Sequence, residues 1–206
     1  VDTPSELARA VRTTPAEETV LALTRGGTTV LLRLGPTTLP GVVHWGRALS
    51  STDSPAELLR ALGTPPTDSV ITAQEVVGIL PLHGSGWLGR PGLLGHRSGH
   101  GWSPAFDAVD HRLVEDDGAE PGTGRLRLES EAIDTVAQLA LRTEVELLDS
   151  GVLRVRAVLR NTGVQPFEVM NLEPAIAVPA QAVELLDFTG HHVHERHSQR
   201  HSFEIG

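Results

Sequence analysis

The chain has no cysteine and no tyrosine among its 206 residues, and aromatic residues reach only 3%. Without cysteine there are no disulfides, thiolate zinc sites or cysteine nucleophiles. A core can still form, because hydrophobic residues make up 39%, but it must be built mostly of Leu, Val and Ala. Basic residues are also in deficit: 17 Lys and Arg face 26 Asp and Glu, a formal net charge of -9. That sign is wrong for a protein that displaces counterions from phosphates, so nucleic acid is excluded as a general partner. No apolar run approaches the roughly 20 residues that span a bilayer, and no signal peptide is visible. No membrane partner is expected, and a cytoplasmic setting is.

The length suits one large β unit. Val1 opens the chain, and Phe203-Glu204-Ile205-Gly206 closes it inside what reads as a segment, so a piece of a longer protein is expected. Residues 1–17 read as a leader, within which SELARAV is a turn or two of helix or a loose stretch. ETVLALTRGGTTVLLRLG then places two apolar runs around Arg25-Gly26-Gly27-Thr28, a hairpin signal. TTLPGVVHWGRAL, residues 37–49, is the next strand. SPAELLRALG, residues 54–63, is the one helix: Ser54 caps it, Pro55 occupies the first helical position, and Gly63 ends it. Residues 64–107 read as mostly irregular. RLRLES, LALRTEVELL and VLRVRAVLRN follow with period-two alternation, then PFEVMNLEPAIAVP and VELLDF. Frequent turns and scant helix predict an all-β fold, a large antiparallel sandwich.

Several patterns invite a chemical reading. GHHVHERHSQRH, residues 190–201, holds five of the ten histidines, and imidazoles at such spacing bind zinc or nickel. A polar connecting segment explains the run better, because no ligand set of known spacing accompanies it, and no metal is expected. The carboxylates Asp107, Asp110, Glu115, Asp116, Asp117 and Glu120 supply the residue type a glycosidase pairs, yet EDDGAEPGTG has the composition of a solvated turn. Gly84-Ser85-Gly86 lacks the context of a nucleophile elbow. No complete active site is written locally.

GSGWLGRPGLLGHRSGHGWSPAFD, residues 84–107, is different. It concentrates glycine with two of the three tryptophans. Glycine lets backbone approach a ligand, indole offers a flat face to sugar C–H groups, and arginine supplies forked donors. Two readings stand level: a sugar-facing loop carried by Trp87 and Trp102, or a long loop pinned to the core by those rings with Arg90 and Arg97 stitching carbonyls.

Taken in order, His44-Trp45-Gly46-Arg47, Leu80-Pro81, Gly86-Trp87-Leu88-Gly89-Arg90-Pro91-Gly92-Leu93, Gly95-His96-Arg97, Trp102-Ser103-Pro104-Ala105-Phe106, Phe188-Thr189-Gly190 and Glu195-Arg196-His197-Ser198-Gln199-Arg200 resemble bacterial α-galactosidases of glycoside hydrolase family thirty-six. The resemblance runs from about Glu18 to Phe203. It implies a β-supersandwich over residues 18–206, followed in the intact enzyme by a catalytic barrel with two aspartates, a nucleophile and a general acid/base. The implied substrates are raffinose- and melibiose-like α-galactoside oligosaccharides, cleaved with retention and without a cofactor. By the same resemblance the chain alone is inactive. Trp87 is then the first choice to cover the galactose pocket and Trp102 the second, with Arg90 and Arg97 holding the loop in shape. Tetrameric members carry an insertion after the Trp-Gly-Lys strand that residues 50–69 do not match, so a homo-oligomer is an open expectation. A stand-alone carbohydrate-binding sandwich and an assembly module that self-associates through an apolar face are the alternatives.

Overall fold

The computed structural model describes residues 9–13, 18–50, 54–62, 77–106, 108–116, 118, 124–178 and 182–203. Four antiparallel strands, β1 (Arg9–Thr13), β2 (Glu18–Arg25), β3 (Thr28–Gly35) and β4 (Thr38–Arg47), form a first sheet in chain order, and α1 (Pro55–Leu62) follows. After β5 (Leu93–His96), a second sheet is made in the same meander by β6 (Ala108–Asp116), β7 (Arg125–Asp134), β8 (Leu139–Leu148) and β9 (Leu153–Asn161). β10 (Glu168–Leu172) returns to pair with β5, and β11 (Glu184–His191) pairs with β12 (His194–Ser202). The all-β sandwich expected from periodicity is what forms.

The β2–β3 turn shows why the meander folds where it does. Gly26 and Gly27 have φ of 56° and 73°, the left-handed pair that a two-residue hairpin needs and that other residues resist. From there alternation decides burial. Leu21, Leu23, Val30, Leu32 and Leu34 point from the first sheet toward Leu126, Leu128, Val145 and Leu147 of the second, making one core. Each such leucine, fully buried, contributes about 1.5–3 kcal/mol. Val20 and Leu31, on the opposite side of the first sheet, are also fully buried, and α1 lies against β1, β2 and β4. The unbroken apolar run of β3 follows from burial on both faces.

A second core, of Leu39, Leu80, Leu82, Leu93, Phe106, Ala132, Leu139 and Leu141, underlies the glycine-rich loop. Polar clamps join the sheets at two places. Arg25, nearly buried, pairs with Asp149, whose other oxygen accepts from the Gly124 N–H at 2.7 Å. His111 bridges Ser130 Oγ at 2.8 Å and the Gly35 carbonyl at 3.0 Å. On the outer face of the second sheet, buried Glu129 receives Arg112, Arg127 and Arg142 at 2.9, 2.8 and 3.1 Å.

Some expectations are corrected. Arg9–Thr13, inside the segment read as helical turns or a leader, is a strand registered against β2 from Ala22 to Glu18. β5 lies within the stretch read as irregular. The histidine run is not a connecting segment: its second part is β12, paired with β11 through a register from Glu184↔Ser202 to His191↔His194. The proposed strand over residues 166–179 is regular only from Glu168 to Leu172.

Candidate functional site

The loop from residue 83 to residue 106 is held by its own sequence at regular intervals. Leu80, Leu82, Leu93 and Phe106 are buried in the second core, so the polar and glycine-rich stretches between them are short spans between anchors. Gly92 is one crossing point. Its N–H donates to the Pro81 carbonyl and its own carbonyl accepts from the Glu173 N–H, both at 2.7 Å. A methyl group there would meet the Glu173 carbonyl at 2.7 Å and Leu80 at 2.8 Å. No other residue fits that close backbone approach.

Trp87 is half-buried and follows a 3₁₀ turn over His83–Ser85. Its backbone N–H donates to the Leu82 carbonyl at 3.2 Å and its Nε1–H to the Arg90 carbonyl at 3.0 Å. The indole lies over Gly89, where an added methyl would stand 2.8 Å from ring atoms. Arg90 is exposed and reaches Glu173 at 3.2 Å. Beside it Pro81, Pro91, Gly92, Pro174 and Ala175 line a shallow cleft of about 140 Å³.

Arg97 is of another kind: 8% exposed, it donates to the carbonyls of Gln165 and Ala137 and to Asn161 Oδ1. Its guanidinium also lies 5.7 Å from the Phe167 ring centroid. This is the carbonyl-stitching arginine that composition had allowed as one reading. Five fixed donors suit an arginine to that role, because several acceptors are met at once by one rigid fork.

Directly after Arg97, residues 97–100 close a tight turn in which Arg97 and His100 exchange backbone hydrogen bonds at 2.8 and 3.1 Å. Trp102 folds back over it. Its Nε1–H donates to the Gly99 carbonyl at 2.8 Å, and its ring stands 4.2 Å from the His96 ring at a tilt of 45°. Trp102 is 45% exposed. Trp45, the third tryptophan, donates to the Ala177 carbonyl at 2.9 Å.

The structure thus brings Trp87 and Arg90 together, and places Trp102 over the turn that Arg97 anchors from below. Sequence reading missed the partners: Glu173 for Arg90, Phe167 and Asn161 for Arg97, and His96 for Trp102. The first three lie 64 to 83 residues away along the chain and carry no local signal. The six-residue separation of His96 and Trp102 across a glycine-rich turn was the one legible clue.

Two of the carboxylate candidates take structural roles. Asp116 pairs with Arg125 at 2.9 Å, and the Gly118 N–H and Arg125 hold its carboxyl below the usual range. Glu115 faces Arg25 at 3.9 Å. Asp107, Asp117 and Glu120 lie outside the described residues. Among those described, no three His, Asp or Glu side chains are grouped to hold a metal ion, and no helix is long and apolar enough to cross a membrane.

Comparison with known proteins adds the following. Residues 38–206 match the model of the glycosyl hydrolase family 36 N-terminal domain. An α-galactosidase of Escherichia coli is 31% identical over 151 residues, covering 72% of this chain and 19% of that protein. The chain therefore spans about a fifth of the length of this curated relative. A family 36 α-galactosidase, AgaA of Geobacillus stearothermophilus, solved with 1-deoxygalactonojirimycin, superposes with a TM-score of 0.72. That match covers 90% of this chain and 28% of the other at 15% identity, a likeness of fold.

Proposed function

The chain belongs to the glycosyl hydrolase family 36 N-terminal domain family, and from that premise we propose that it serves a retaining α-galactosidase, packing on the catalytic barrel of the same polypeptide and lending its tryptophan loop to the galactose pocket. In this reading the barrel supplies the chemistry. One carboxylate attacks the anomeric carbon, the other protonates the leaving oxygen, and water then releases the sugar with retention. In this reading both catalytic carboxylates lie in the barrel, and the chain alone is expected to be inactive.

The carrying observation is the anchoring of the loop. Two indoles, Trp87 and Trp102, are fixed at the surface by hydrogen bonds to their own turns and by buried residues on both sides. A rigid apolar plate of this kind suits the C–H face of a pyranose and excludes water from the reacting bond. Arg90 and Arg97 serve as positioning residues, Arg97 through its buried carbonyl contacts. The β11–β12 hairpin supports the packing part of the reading. A two-stranded sheet is marginal by itself, and this one exposes Leu185, Leu186 and Phe188.

The test is hydrolysis of p-nitrophenyl α-galactopyranoside and raffinose by the intact polypeptide of the source gene, with the anomer of the first product read by NMR. Retention and activity absent from the 206-residue chain support the reading. An intact polypeptide inactive on every α-galactoside sinks it. Tight galactoside binding by the chain alone would favour a stand-alone carbohydrate-binding module, for which exposed Trp102 is the feature.

A further inference from the structure

We propose that His191 and His194, which face each other across the tip of the β11–β12 hairpin, form a two-imidazole chelate for a late divalent transition metal, tightest for Cu(II). Both belong to the histidine run, to which the proposed function gives no role.

The backbone brings the rings together. His192 and Val193 make the turn, and His191 pairs with His194 in the strand register. The two rings lie 5.2 Å apart between centroids, at an angle of 63°. A bulge follows at once, where the register passes from His191↔His194 to Thr189↔His197 and Arg196 takes a left-handed φ of 60°. The extra residue on β12 brings His197 beside His194, with the rings 6.3 Å apart and 19° from parallel. Gly190, with φ of 146°, permits the bulge, since a methyl there would collide with the His194 carbonyl. All three imidazoles are exposed.

The tautomer of His191 is the one a metal needs. Its Nδ1 lies 2.9 Å from the His192 carbonyl, and a carbonyl only accepts, so Nδ1 carries the proton and Nε2 keeps a lone pair. Ligating imidazoles are commonly fixed in this way, by donating the other ring N–H to a carbonyl. Imidazole suits copper, nickel and zinc, and among divalent ions Cu(II) binds nitrogen ligands most tightly. Among the described residues no three His, Asp or Glu side chains are grouped to hold an ion, so the site is an open pair whose other positions fall to water. His201 is turned to Asp187, at 3.6 Å.

A metal here would act on the hairpin itself. A two-stranded sheet is marginal, and this one turns through Val193 at φ of 77°, a conformation that β-branched residues resist. An ion held from both strands binds the closed hairpin and not the open one, and stabilises it by mass action. Period two places His197 with Thr189, Asp187 and Leu185, and Ser198 with Phe188 and Leu186. The imidazoles beside His197 therefore lie opposite the Phe188 face, and metal binding leaves that face free.

The test is titration calorimetry of the untagged 206-residue chain with Cu(II), Ni(II) and Zn(II) chlorides. Saturable binding is expected, tightest for Cu(II). His191→Ala and His194→Ala should each weaken Cu(II) by about 10-fold or more, whereas His100→Ala and His201→Ala should leave it unchanged. The Cu(II) electron paramagnetic resonance signal should show nitrogen couplings from two imidazoles and lose one set in either hairpin variant. Hydrogen exchange of the β11–β12 amides should slow when Cu(II) is added. Absence of saturable binding overturns the proposal, as does binding that survives in the His191→Ala/His194→Ala double variant. Losses shared equally by all four single variants mean an adventitious ion only, and overturn it too.

Discussion

Arg97 donates to Asn161 Oδ1 at 2.9 Å, so a residue of the glycine-rich loop is tied to the last residue of β9. The same guanidinium meets two carbonyls and the Phe167 ring, and the loop has little freedom at this point despite its composition.

Arg97→Met should therefore destabilise the chain by about 1–3 kcal/mol, because the Ala137 carbonyl loses its Arg97 donor. The Gln165 carbonyl keeps the Asn161 Nδ2–H, and Asn161 Oδ1 keeps the Gly163 N–H. Urea unfolding followed by circular dichroism measures it. Arg97→Lys should recover only part, because one ammonium cannot replicate a planar fork. A loss below half a kcal/mol for the Met variant would mean that water replaces the guanidinium.

Gly89→Ala should push the Trp87 indole off its own turn, since the new methyl falls within 2.8–2.9 Å of three ring atoms. The expected result is a shift in tryptophan emission and a stability loss of about 1–3 kcal/mol. An unaltered spectrum would show that the ring does not rest on Gly89.

Burial of His111 lowers its pKa from the ordinary 6.5, more than the Gly35 hydrogen bond and Asp110 raise it. The folded state thus favours the neutral ring, and the unfolded state binds more protons as pH falls below 6.5. The stability it contributes is fully present above that value and is lost as pH falls toward the lowered folded value. His111→Gln should flatten the thermal midpoint profile between about pH 7 and 5. An identical slope in the variant would remove His111 as the cause. Further down, Asp149 carries a second loss. The Arg25 hydrogen bond holds its carboxyl below 3.8, so that stability is present above 3.8 and disappears as pH falls through the lower folded value.

The hairpin exposes Leu186 and Phe188, at 45% and 63%, on one face and Leu185, at 49%, on the other, and exposed apolar side chains paired on one face mark an interaction surface. The 206-residue chain should self-associate with rising concentration in sedimentation velocity, and Phe188→Glu should reduce it. A monomer at every concentration would leave the hairpin's apolar residues too dispersed to act as a face.

Much of the second sheet was readable because β7, β8 and β9 largely alternate, with Leu126, Leu128, Leu141, Val145, Leu147, Leu153 and Val155 inward, although Ser130 and Thr143 also take inward positions and Ile133 and Val158 exposed ones. β6 went unread for a physical reason: its inward-facing His111 is polar, while Leu113 and Glu115 on the same side are exposed. His111 is accommodated by Ser130 and Gly35 from other strands, and period-two hydrophobicity is absent without those partners in view. β12 is polar on both faces, so its strand character comes from pairing with β11 alone. The candidate loop was conspicuous by composition, but whether its arginines faced solvent or core was not written in their spacing.

By itself, the sequence determined the class of fold, the glycine-turned hairpin, the α1 helix and the ordered motifs that carry the family relationship. These depend on local backbone preference and on periodicity within a few residues. The tertiary structure decided which arginine is exposed and which buried, which indole is pinned and which stands beside an imidazole, and how the sheets are clamped by Arg25–Asp149 and His111. Each of those outcomes depends on where distant polar partners lie, since a buried charge is tolerable only when its acceptors have been brought to it from elsewhere in the chain.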